Sequence, residues 1–176
     1  TFEPRKNIAS LIEGYDALLA LKNPIFEKYD LVLAGTRGWK CRDLVMTRNR
    51  SVSKQRIRSL GFVADEDKVA SYNLARVFVY PSLYEGFGFP PLEAMACGVP
   101  VITSHSSSLS EVVGQAGIMI DPYQPDELYQ ALQLILREPG LCEKLVVKGL
   151  TQVRQFSWEK TAKETLSVLS RERTPR

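Results

Sequence analysis

Pro81-Ser82-Leu83-Tyr84-Glu85-Gly86-Phe87-Gly88-Phe89-Pro90-Pro91-Leu92-Glu93-Ala94-Met95-Ala96-Cys97-Gly98-Val99-Pro100 is the stretch on which the fold turns. An apolar run at 77–80 precedes it and another at 99–103 follows it, so a glycine turn and a short helix join two strands. That is the signature of a β-α-β unit in a parallel sheet. The turn leaves the carboxyl end of a strand, the edge at which open α/β sheets bind ligands. Gly86 and Gly88 permit close backbone approach or a positive φ. The prolines suit a first helical turn, and Glu93 is expected within that turn. Pro90 and Pro91 donate no hydrogen bond, which leaves the amides of Phe87, Gly88 and Phe89 free to face an anion or sugar hydroxyls. Glu85 and Glu93 frame the turn with seven residues between them. Each carboxylate is a bidentate acceptor for vicinal hydroxyls such as those of ribose or a hexose.

The same alternation extends in both directions. Strands are expected at 31–34, 57–63, 77–80, 99–103 and 118–120, rich in Val, Ile and Leu with little alternation, as in a sheet covered by helices on both faces. Helices are expected at 8–21, 68–75, 91–97, 109–113, 125–136, 141–154 and 158–170, with a further one from 40 to about 48. Ile8, Leu11, Ile12, Tyr15, Leu18 and Leu19 recur at helical spacing, and Asn7 is placed to cap that helix. Ser157 is placed to cap the last helix, with Lys160 where a capping-box acid would stand. Residues 171–176 are polar and expected to fray. The reading is one α/β domain over 1–176. Thr1-Phe2 reads as the tail of a strand whose beginning is missing, and the chain as an excised piece.

Composition narrows the class. With 44% hydrophobic and 24% charged residues the chain matches ordinary globular proteins and neither disordered nor membrane-embedded ones. A net charge of +3 is mild, and its carriers are scattered apart from 48–50 and 54–58, so a nucleic-acid partner is not expected. The run at 54–58 reads as a solvated face. Cys41, Cys97 and Cys142 form no C-x-x-C pair and there is a single histidine, which points to a reduced, cytoplasmic setting without a metal site. Cys97 and Trp39 are expected to pack in the interior. His105 stands just past a strand end, but no partner acid is set by spacing, so it is not assigned to catalysis. No apolar run is long enough to span a bilayer, which leaves peripheral attachment at the inner face of a membrane open.

The glycine-turn stretch, with Glu85-x7-Glu93, resembles the signature of group 1 glycosyltransferases, carbohydrate-active family 4. The resemblance continues in Glu3-Pro4-Arg5-Lys6-Asn7, Leu33-Ala34-Gly35, Leu60-Gly61-Phe62-Val63, Ser107-Ser108-Leu109-Ser110-Glu111-Val112-Val113 and Phe156-Ser157-Trp158. It implies the C-terminal half of a GT-B enzyme: a Rossmann-like three-layer sandwich with a mostly parallel sheet that binds the donor. A missing N-terminal domain would bind a glycan or lipid-linked acceptor, and the helix at 157–170 would return to that domain. The implied activity is transfer of a hexosyl group from a nucleoside diphosphate sugar to an acceptor hydroxyl, with retention, in polysaccharide biosynthesis. The isolated chain is expected to be inactive.

By the same resemblance, Lys6 binds the donor diphosphate. Arg5 stands in for a family arginine whose place here is Thr1. Glu85, Phe87, Gly88 and Phe89 meet sugar and phosphate, with Glu85 the catalytic residue. Glu93 meets the ribose, and Gly61, Phe62 and Val63 meet the base. No cofactor is implied, and no Asp-x-Asp metal motif is present. A dinucleotide oxidoreductase shares the α/β pattern but lacks its fingerprint, since Gly86-Phe87-Gly88-Phe89-Pro90-Pro91 ends in proline. A noncatalytic nucleotide- or sugar-binding α/β module is the remaining alternative.

Overall fold

The structure, a computed structural model, describes residues 1–36, 38–40 and 42–171. In chain order the elements are α1 (Ile8–Ala20), β1 (Leu31–Ala34), α2 (Arg42–Arg50), β2 (Ile57–Gly61), α3 (Asp65–Asn73), β3 (Phe78–Tyr80) and α4 (Phe89–Ala96). They are followed by β4 (Val101–Ser104), α5 (Leu109–Val113), β5 (Ile118–Ile120), α6 (Pro125–Arg137), α7 (Pro139–Val153) and α8 (Trp158–Arg171).

All strand pairs are parallel, as expected from the β-α-β alternation. They form two groups, β1 beside β2 and the set β3-β4-β5. One buried cluster joins the groups: Leu33 and Ile57 from the first and Ile102 and Ile120 from the second pack with α1 and α6 residues such as Ile12, Leu18, Leu128 and Ile135. Val101, adjacent to Ile102, points to the opposite face and enters a second cluster with Leu92, Met95, Val112 and Val113 from α4 and α5. That alternation along β4 gives the layers helix, sheet, helix. Phe2 forms an isolated bridge; its N–H donates to the Thr36 carbonyl at 2.7 Å and its own carbonyl accepts from Gly38 at 3.0 Å.

Several boundaries differ from the sequence reading, each for a local reason. Helix α3 begins at Asp65, because Asp65, Glu66 and Asp67 supply the negative first turn that the helix dipole favours while carrying no apolar period. Helix α4 begins at Phe89, so Glu93 lies in its second turn and its role cannot be that of a first-turn acid. Asn7 precedes α1 in a left-handed conformation and does not cap it. Its amide nitrogen instead donates to the Pro122 carbonyl at 3.0 Å, tying the start of α1 to the end of β5. Ser157 does cap α8, accepting from the Lys160 N–H at 3.1 Å.

The basic run is not a free face: Arg56 and Arg58 both grip Asp30, at 3.1 and 2.6 Å. Trp39 is exposed rather than packed, with the Lys40 ammonium 5.0 Å from its ring centroid. Cys97 ends α4 half-buried against the second cluster, and Cys142 is buried, its thiol donating to the Ile135 carbonyl. Cys41 and residues 172–176 lie outside the described residues. Among the described residues no helix is long and apolar enough to cross a membrane.

Candidate functional site

Arg5 and Lys6 come from the single turn of 3-10 helix that precedes α1, and the chain must fold to bring them to the loop after β3. A backbone bond does this: the Leu83 N–H donates to the Arg5 carbonyl at 2.7 Å. The two cations then converge on one carboxylate. Lys6 Nζ lies 2.6 Å from Glu85 Oε1 and Arg5 Nη1 lies 2.7 Å from Glu85 Oε2, across 79 and 80 residues of chain. Arg5 Nε also pairs with Glu3 at 2.8 Å. The Lys6 ammonium additionally bonds the Tyr80 hydroxyl and sits 4.7 Å above that ring.

Glu85 is only 7% exposed. Burial alone would raise its pKa, but the hydrogen bonds from Lys6 and Arg5, aided by nearby Ser82 and Tyr80, hold it below the ordinary carboxylate value. Tyr80 shifts the other way: burial first, then the Glu85 charge, pushes its phenol up and keeps it protonated. The site is therefore a buried anion between two cations, Lys6 largely buried and Arg5 partly exposed, with a neutral phenol beneath.

The turn beyond Glu85 is fixed from the side by two serines. The Glu85 N–H donates to Ser107 Oγ at 2.9 Å, and the Ser108 hydroxyl donates to the carbonyls of Phe87 (2.6 Å) and Glu85 (3.0 Å). With its carbonyls held there, the turn leaves the amides of Phe87, Gly88 and Phe89 without an acceptor among the described residues. They stand at the N-terminus of α4, Phe87 and Phe89 exposed and Gly88 buried, where the helix dipole adds positive potential.

Gly88 makes this possible. Its φ of +124° is in the region that L side chains rarely adopt, and a Cβ there would stand 2.8 Å from Leu109 Cδ2, which is fully buried. Gly88→Ala is expected to lower stability by about 2 kcal/mol, since strained backbone alone costs about 1–3 kcal/mol and the Leu109 side chain must also shift. A thermal melt should show a Tm lower by roughly 4–8 °C; an unchanged Tm would mean the turn is pliable.

Glu93 stands apart from this cluster, accepting from the Tyr72 hydroxyl at 2.9 Å, with Lys68 3.8 Å from its other oxygen. Gly61 ends β2 at φ +73° beside a register shift in β1, and its carbonyl accepts from Gly35 at 2.7 Å. Phe62 beyond it is exposed and Val63 half-buried, so the three present backbone and one aromatic ring at the sheet's carboxyl edge. His105 is exposed and its backbone N–H donates to the Ile120 carbonyl.

Sequence reasoning missed Tyr72, Tyr80 and Lys68. Tyr80 carried a usable signal, since it ends an apolar strand run immediately before the glycine turn. Tyr72 and Lys68 carried none, because a tyrosine and a lysine on a short polar helix are unremarkable without the partner that the fold supplies.

Parallel strands under helices, with two cations and, among the described residues, unpaired amides at the carboxyl edge where open sheets bind ligands, define an α/β protein of the nucleotide-binding-like class. The profile of the family "Glycosyl transferases group 1" matches residues 1–152, and the chain belongs to that family. It is 44% identical over 168 residues to an Escherichia coli O-antigen chain mannosyltransferase B, an alignment that covers 96% of this chain and 43% of the relative. Among solved structures, sucrose-phosphate synthase from Thermosynechococcus elongatus superposes with a TM-score of 0.76 at 27% identity, covering 96% of this chain and 43% of that one. Anabaena Alr3699/HepE in complex with UDP and glucose superposes with a TM-score of 0.80 at 22% identity, covering 96% and 45%. The fold is thus the mixed α/β, parallel-sheet fold of GT-B glycosyltransferases. The chain spans less than half the length of the curated relative.

Proposed function

We propose that this chain is the donor-binding half of a retaining glycosyltransferase that moves a hexosyl group from a nucleoside diphosphate sugar to an acceptor hydroxyl. The observation that carries the reading is the convergence of Lys6 and Arg5 on Glu85, beside three amides with no acceptor among the described residues. In such a reaction the bond between the anomeric carbon and the diphosphate oxygen breaks, a bond to the acceptor oxygen forms on the same face, and the proton of the acceptor hydroxyl leaves with the diphosphate. Negative charge grows on the leaving diphosphate, and positive charge grows at the sugar ring. Lys6, Arg5 and the amides of Phe87, Gly88 and Phe89 meet the first, already oriented before the ligand arrives. Glu85, kept ionised by its neighbours, orients the sugar and meets the second. It is not assigned as a nucleophile.

Glu93 takes the ribose hydroxyls, and the backbone of Gly61, Phe62 and Val63 takes the base. The likeness to an O-antigen chain mannosyltransferase favours mannose as the hexose. The acceptor, a glycan or lipid-linked saccharide, is held by a partner domain, and closure of the two halves excludes water and aligns the acceptor. This chain by itself then binds donor weakly and does not transfer sugar. Its α8, whose described residues are exposed along their length, is the element assigned to reach that domain. No divalent metal is assigned to the diphosphate, because Lys6 and Arg5 supply the charge.

The test is a thermal-shift panel of GDP-, UDP- and ADP-sugars against the chain, with and without EDTA. A ligand selective for the folded form raises Tm in proportion to its affinity. One donor class should raise Tm at millimolar concentration and keep doing so in EDTA. No shift from any of them removes the reading, and a shift abolished by EDTA removes the metal-free diphosphate site.

A further inference from the structure

Glu93 is a half-exposed carboxylate whose two oxygens have different surroundings. Oε2 accepts the Tyr72 hydroxyl at 2.9 Å, whereas among the described residues Oε1 meets Lys68 at 3.8 Å, and that lysine is drawn 2.7 Å from Asp65 instead. Tyr72 is partly buried and held by a ring contact. Its ring packs edge-on against Phe78 at 5.4 Å, and Phe78 stacks on Tyr80 at 5.9 Å, the residue beneath the Lys6–Glu85 pair. An aromatic row of three rings, anchored through β3, therefore underlies both carboxylates of the turn. Torsion about the bond to a glutamate carboxyl is broad and roughly two-fold, so a carboxylate without a fixed donor samples many planes. A donor locked by packing removes that freedom and leaves the outward lone pairs aimed at solvent.

We propose that Tyr72 is a positioning residue: its hydroxyl fixes the plane of the Glu93 carboxylate so that the remaining lone pairs accept both hydroxyls of a ribose diol. This rests on the reading of Glu93 as the ribose contact. Burial, followed by the hydrogen bond to and charge of Glu93, raises the Tyr72 pKa, so the phenol stays a donor throughout the physiological range. The row also explains why a tyrosine, rather than a serine or lysine, serves here. A short hydroxyl would not reach, and a lysine would neutralise the charge that attracts the diol.

The experiment is calorimetric titration of the chain with GDP, UDP and ADP, carrying forward whichever binds, its 2′,3′-dideoxy analogue and inorganic pyrophosphate. The variants are Tyr72→Phe, which keeps the ring and removes the hydroxyl, Glu93→Gln, and the two together, each checked by its melting curve. Tyr72→Phe is expected to weaken the ribonucleotide about five- to ten-fold, less than the full value of a hydrogen bond to a charged group because the lost bond orients Glu93 and does not itself touch the ligand. The dideoxy analogue and pyrophosphate should be unaffected, and the double variant no weaker than Glu93→Gln alone. If Glu93→Gln weakens binding and Tyr72→Phe does not, the positioning role is wrong and the ribose assignment stands. If Tyr72→Phe weakens all three ligands equally, its hydroxyl supports the fold and the proposal is overturned. If Glu93→Gln binds as well as the parent, or no nucleotide binds at all, the ribose reading fails and takes the inference with it.

Discussion

On the proposed function, Lys6→Ala is expected to reduce sugar transfer by a protein containing this chain by about 10²–10³-fold, the loss typical when one preorganised group facing developing charge is removed. Donor affinity should fall as well, by about 1.5–3 kcal/mol, the range for a hydrogen bond to a charged group. The reason lies in how the ammonium is held. Its side chain is largely buried, bonded to Glu85 and Tyr80 and seated over the Tyr80 ring, so its position needs no rearrangement when charge grows on the diphosphate. Arg5→Ala should do less. The Arg5 side chain is 42% exposed and already divided between Glu3 and Glu85, and solvent screens such a group. Donor affinity by calorimetry and turnover with acceptor present make the comparison. A larger loss from Arg5→Ala than from Lys6→Ala would reverse the assignment of the diphosphate contact.

Glu85→Gln is expected to cost about 2–4 kcal/mol of stability at neutral pH and to lower Tm by roughly 5–15 °C. Glutamine keeps the shape but strands Lys6, largely buried, without a counter-ion. Breaking a wholly buried pair costs about 3–5 kcal/mol, and the figure here is lower because Arg5 can turn to water. The pH dependence separates charge from packing. Glu85 has a pKa lowered below 4.5 in the folded chain, so the unfolded chain takes up its proton first as the medium is acidified. Its ionic contribution is complete above the unfolded value and is lost as pH falls through the lower folded value. The stability gap between parent and variant should be constant from about pH 6 to 8 and close below about pH 4.5. A gap that does not narrow at all as pH falls from about 4.5 to 3 would assign the loss to packing alone.

Much of this molecule could be read before its fold was known. The strands at 31–34 and 118–120 and the helix at 109–113 have the same limits in both readings, because in each a block of Val, Ile or Leu ends abruptly at a polar or glycine residue. The glycine turn was legible for the same local reason: Gly88 and the prolines after it allow few backbone paths. Boundaries slipped where the local signal was electrostatic rather than apolar. The acids at the start of α3 begin that helix three residues earlier without altering any hydrophobic period.

What the sequence determined by itself was the parallel α/β order, the turn that bares three amides, and the identity of the charged residues around it. These follow from short-range properties: side-chain volume, periodicity, and the φ values glycine and proline allow. Only the tertiary structure decided who meets whom. It placed two cations from the first turn of the chain on Glu85, 79 and 80 residues away, and set Tyr80 beneath them and Tyr72 against Glu93. It turned Asn7 from a helix cap into a tie to Pro122 and the basic run into a clamp on Asp30. Such pairings depend on distance through space, which grows independent of separation along the chain once the strands register. Burial then changes the chemistry of the same residues, so that Glu85, an ordinary acid in the sequence, becomes a carboxylate held ionised between opposing charges in the fold.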